Sequence, residues 1–186
     1  MKRLLVGVLL SILGVALQPD TASAASAADC AALSIRVKNL PEASSAQCGS
    51  EPFGGGGDQG SGTDEYIQIM GSDSITVVSH AAASSRTYMR RLGVKDVIGN
   101  YGIFESTDNW GDETESNDFA VRRFNAKLAG SGAKVVCFGF VHFSGHVARS
   151  TGYRHLISGY SCNFSSTQPT DSRIDQVVGS IDFDFE

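Results

Sequence analysis

From Val135 to Val147 the chain is rich in β-branched and aromatic residues, with Val135, Val136, Phe138, Phe140, Val141, Phe143 and Val147 set among polar positions. That composition favours strand over helix. Residues 148–152 are small and polar, as a turn requires, and Tyr153 to Phe164 resumes the apolar and polar mixture, so residues 134–164 predict a long β-hairpin. A four-residue loop over 148–151 makes Val147 face Gly152 and carries the register on to set Cys137 opposite Cys162. Directly opposed Cβ atoms lie about 4.5–5.5 Å apart, close to disulfide range. Alternation then puts Cys137, Val141, Phe143, Leu156 and Cys162 on one face, which reads as core. Phe138, Phe140, His142, Ser144, His146, Tyr153, His155 and Ile157 fall on the other.

The remaining pattern is more mixed. Tyr66–Met70 and Ile75–Ser79 read as short strands around a turn at Gly71–Ser74. His80–Leu92 reads as a helix, with early alanines, Tyr88 and Leu92 four apart, and Gly93 as its stop. Val94–Ile98 and Tyr101–Glu105 read as strands joined by a tight Gly99-Asn100 turn. Phe119, Ala120, Phe124 and Leu128 form an apolar stripe that predicts a second helix over 117–129. Ile174, Val177 and Val178 predict a short helix starting near Thr170 or Asp171, and Ile181, Phe183 and Phe185 a terminal strand. The expected class is therefore α+β, a mainly antiparallel sheet with two or three helices built around the disulfide-linked hairpin.

Ahead of this stands a different kind of segment. Lys2 and Arg3 precede an apolar run from Leu4 to Leu17, and Ala22-Ser23-Ala24 follows, which together predict a secretory signal peptide over residues 1–24. Its removal leaves 162 of 186 residues, enough for one domain with a real core, and no span of roughly 20 apolar residues. Residues 25–62 read as an N-terminal appendage, with Cys30 and Cys48 bracketing a short segment and a glycine-rich linker after them, and 63–186 as a single domain. Gly54-Gly55-Gly56-Gly57 lacks the Lys-Ser/Thr that a phosphate-cradling loop needs.

Four cysteines in an exported chain point to two disulfides, Cys137–Cys162 from the hairpin and Cys30–Cys48 by remainder. The leader takes Lys2, Arg3 and Asp20 with it, moving the formal net charge from −5 to −6. With no basic block, nucleic acid is excluded as a partner, because such binding rests on phosphate neutralisation. The acidic stretch Ser106–Asp118 misses the calcium-loop pattern, since Trp110 occupies a ligand position.

Candidate chemistry concentrates on the histidines. His142 and His146 are four apart on a strand, about 13 Å, too far to share one ion, while His155 lies diagonal to each at roughly 7–8 Å. A zinc or other transition-metal site would therefore use His155 with His142 or His146 and a carboxylate. The plainer account is a half-exposed sheet face whose histidines bond to neighbours or water. Ser144 opposite His155 is the one nucleophile and base pair that can be placed together, without the surrounding motif of a nucleophile elbow. Phe138, Phe140, Tyr153 and Trp110 offer instead an aromatic recognition surface. The expectation is an exported, secreted or periplasmic, non-catalytic protein that binds a protein or cell-envelope component without a cofactor. The alternative is a metal-binding protein or metal-dependent hydrolase.

Overall fold

The hairpin forms with the expected register. In a computed structural model, which describes residues 30–40, 43–53, 62–84, 87–147, 151–183 and 185, strands Lys134–His146 and Gly152–Asn163 pair antiparallel, with Cys137 opposite Cys162 and His155 opposite Ser144. Both disulfides are present, Cys137–Cys162 with Cα atoms 4.1 Å apart and Cys30–Cys48 at 5.5 Å. They belong in an oxidising compartment, outside the cell or in a periplasm. The segment read as a signal peptide and the Gly54–Gly57 run lie outside the described residues.

The chain order is β1 (Ile35–Val37), β2 (Ser45–Phe53), β3 (Gly62–Met70), β4 (Ser74–Ala83), β5 (Met89–Arg90), α1 (Val94–Ile98), β6 (Phe104–Asp108), β7 (Glu113–Ser116), β8 (Phe119–Leu128), β9 (Lys134–His146), β10 (Gly152–Asn163), α2 (Asp171–Gly179) and β11 (Ile181–Phe183). Among the described residues nine strands form one antiparallel sheet in the order β2-β3-β4-β10-β9-β8-β6, with β5 beside β10 and β7 beside β8. This sheet curls into a half-barrel. β1 and β11 make a separate two-stranded sheet. β1 and β2, from the segment read as an appendage, are thus both paired to later strands.

The α+β expectation is corrected by this architecture: the protein is mainly antiparallel β, with two helices among the described residues. The segment 117–129 holds strand β8 over Phe119–Leu128, not a helix. Asn117 and Asp118, both at positive φ, make the two-residue turn from β7 into β8. Of the stripe Phe119, Ala120, Phe124 and Leu128, Phe119 faces the other side of the sheet, and the last three misled because a spacing of four is also a multiple of two. On β8 these three residues, with Ala126, all point to one face. The described residues of 80–92 are not a helix either. His80 to Ala83 complete β4, where Ala81 and Ala82 pair with Leu156 and His155. The long β10 and β3 give this segment a partner on each side, and that outweighs the helix propensity of alanine. Conversely, Val94–Ile98 is a helix, because Val94, Val97 and Ile98 are spaced i, i+3, i+4 and all three are buried. Helix α2 forms where expected, with Thr170 accepting the Arg173 N–H as its cap.

Both faces of the main sheet are covered, which is why the hairpin is apolar on both sides. The upper face holds Phe138, Phe140, Ile157, Phe119, Val121, Val78 and Ile67 beneath β1, β11 and α2. The lower face holds the Cys137–Cys162 bridge, Phe124, Val141 and Tyr160 against α1. Helix α1 sits directly on the sheet because Gly139 has no side chain; a Cβ there would come within 2.6 Å of Ile98.

Candidate functional site

Of the four residues expected to form an aromatic surface, Phe138 and Phe140 are completely buried and belong to the upper core. They are covered because β1, β11 and α2 fold over that face. Trp110 stacks on Phe124 at 4.4 Å with the Arg122 guanidinium 5.8 Å from its ring centre, so it closes the edge of the lower core. Tyr153 is half-buried, against Phe143 and His146.

The three histidines on β9 and β10 do not converge. His142 Nδ1 lies 2.9 Å from the Asp118 carbonyl oxygen, His146 stands edge-on to Tyr153, and His155 turns toward β4. Among the described residues no group of three His, Cys, Asp or Glu side chains could hold a metal ion. Ser144 Oγ is buried and has no hydrogen-bond partner among the described residues, His155 included.

What His155 meets is the fourth histidine. His155 Nδ1 is 3.1 Å from His80 Nε2, His80 Nδ1 is 3.2 Å from Glu65 Oε2, and the same oxygen accepts the Ser34 N–H at 3.0 Å and its hydroxyl at 2.5 Å. The register builds this row, since Glu65 and Ile157 are the cross-strand neighbours of His80. His80 is only 3% exposed. Burial would raise the Glu65 carboxyl, but the Ser34 and His80 hydrogen bonds outweigh it and hold Glu65 below the usual range. Burial pushes His80 down, against the pull of Glu65. Burial lowers His155 too, helped by His80 and Arg154.

These directions fix the protons. An ionised Glu65 can only accept, so a neutral His80 donates from Nδ1 and accepts at Nε2. His155 must then donate from Nδ1, which leaves its Nε2 unprotonated. The result is one directional chain, His155 to His80 to Glu65.

A second feature lies on the other side of the hairpin. A groove of about 270 Å³ is lined by Arg91, Glu113, Glu115, Asp118, Phe143 and Tyr153 among others, and a second recess shares Arg91 and the three carboxylates with it. Glu113 Oε2 also accepts the Val94 N–H at 3.2 Å, which ties the groove wall to the start of α1. The three carboxylates arrive on β7 and the β7–β8 turn, the aromatics on the hairpin.

Sequence reasoning did not find His80, Glu65 or the groove. The alanines after His80 place it in the first turn of a helix, whereas the alternation Thr76, Val78, His80 keeps it on one strand face. No protein-family model, curated protein or solved structure matches this chain.

Proposed function

We propose that this is an exported, non-catalytic binding protein whose groove takes a cationic segment of a partner protein or of a cell-envelope component. The observation that carries this reading is the pairing of Glu113, Glu115 and Asp118 with Phe143 and Tyr153 around one concave surface. Three carboxylates face a single Arg91, so the groove favours positive charge. The aromatic side chains give the apolar stem of a lysine or arginine a surface to lie along, and the carboxylates accept its terminal N–H groups. Placement on rigid β7 and the hairpin means that little ordering is needed on binding. The two disulfides support an oxidising setting for this encounter.

Calorimetric titration with a short lysine- and arginine-rich peptide, its glutamate-rich counterpart and a neutral oligosaccharide tests the reading. The cationic peptide should bind alone, more weakly as salt rises, and roughly tenfold or more weakly to Glu115→Gln/Asp118→Asn. Equal binding of all three probes, or an unchanged affinity in the double variant, would sink it.

A further inference from the structure

The upper cover rests on histidines. Phe185 stacks on His80 at 4.1 Å and on His155 at 4.5 Å, nearly parallel to both, and Phe183 packs on His142 at 5.1 Å. Three of the four histidines of the chain thus touch two phenylalanines of one short segment, which β1 joins to the rest of the cover. A purely structural clasp would need no titratable group.

We propose that the His80–His155 pair is an acid-operated latch that holds β11 and Phe185 on the upper face at neutral pH and lets them go as the pair takes up two protons. The first proton enters at the unprotonated His155 Nε2. It leaves the chain intact, because His155 still donates from Nδ1, and the new charge faces the Phe185 ring. The second must enter at His80 Nε2, the atom that accepts from His155. Two N–H donors then oppose each other across 3.1 Å, and both rings are cationic. The contact cannot survive that state, and Phe185 loses the surface on which it stacks.

Among the described residues the charged groups facing the pair are few. Glu65 on β3 neutralises one proton and only one, Arg154 beside His155 opposes any, and Ser34, which precedes β1, is neutral. Arg154 is itself bound to the Ser84 and Thr87 carbonyl oxygens. His142, one strand along, is bonded through Nδ1 to the Asp118 carbonyl oxygen.

The test is nuclear magnetic resonance on protein labelled at its histidine and phenylalanine rings, titrated from pH 8 to pH 5. At pH 8 both His80 and His155 should carry their proton on Nδ1, and the Phe185 ring should show contacts to both. Below the ordinary histidine pKa of about 6.5, the ratio of released to docked Phe185 should rise about tenfold per pH unit, because the open form binds at least one proton more. In His155→Gln, and independently in His80→Gln, the two opposed rings are gone and the remaining one can take its proton in place, so that slope should become clearly shallower. Release with the same slope in both variants, a wild-type ring that stays docked to pH 5, or Nε2-protonated rings at pH 8 would each overturn the proposal.

Discussion

The two faces of the central sheet solve the same problem with different materials. The lower face is closed by α1, whose Val94, Val97 and Ile98 insert beside Gly139, and by the buried Cys137–Cys162 bridge. Its inward polar groups include hydroxyls such as Tyr101, 3.0 Å from Ser158 Oγ, and burial pushes the Tyr101 and Tyr160 phenols upward, so none of these changes charge near neutral pH. The upper face is closed by β1, β11 and α2, elements distant in sequence, over a row that includes Glu65, His80 and His155. One face therefore rests mainly on packing, while the other depends also on protonation. The same curled sheet can be firm on one side and adjustable on the other.

The largest expected effect tests the shared part of that comparison. Phe124→Ala below and Phe140→Ala above each empty a site with no exposure, and each should cost about 3–5 kcal/mol in urea unfolding at pH 7.5. If Phe140→Ala cost well under 1 kcal/mol, the upper core would not be a true core. The next effect concerns the bridges. Loss of either disulfide should cost roughly 3 kcal/mol, but Cys137 and Cys162 have no exposed surface whereas Cys30 is half-buried. Graded reduction followed by alkylation and mass spectrometry should therefore label Cys30 and Cys48 first. Gly139→Ala comes third, at about 1–3 kcal/mol, because the added methyl pushes against Ile98 and Val94, and the strain should appear as faster exchange in α1 with the upper cover unchanged.

Acid sensitivity follows from the direction of the shifts. His80 and His155 are held below their ordinary values in the folded state, so the unfolded chain binds more protons as pH falls through about 6.5. Stability should drop from there toward pH 5, and His80→Gln should flatten the drop. Glu65 is also depressed, but its contribution is lost only at lower pH, near and below the ordinary carboxylate range. The smallest stability effect belongs to Glu115→Gln/Asp118→Asn, two exposed carboxylates, which should stay within about 0.5 kcal/mol of the parent while weakening the cationic peptide.

The hairpin, its register and both disulfides were legible in the sequence because period-two alternation and two cysteines constrain the same alignment. The sheet around it was less so. Ala120, Phe124 and Leu128 satisfy the helical and the strand period at once, and only the tertiary partners β6, β7 and β9 decide between them. Val94–Ile98 erred the other way, its β-branched composition masking an i, i+3, i+4 spacing. The histidine cluster was half visible: His155 stood out on the hairpin, but its partner His80 depends on β4 running past Ser79, and Glu65 on β3 starting before Tyr66. The groove could not be read in advance, since Arg91, Glu113 and Tyr153 meet only through the fold.

Amide hydrogen exchange at pH 7 and pH 5, corrected for intrinsic rates and resolved by peptide, tests the contrast between the faces most directly. β1 and β11 should lose protection at pH 5 while α1, β8 and β9 keep theirs, and His155→Gln should restore β1 and β11. Equal loss on both faces, or unchanged protection of β1 and β11, would contradict it.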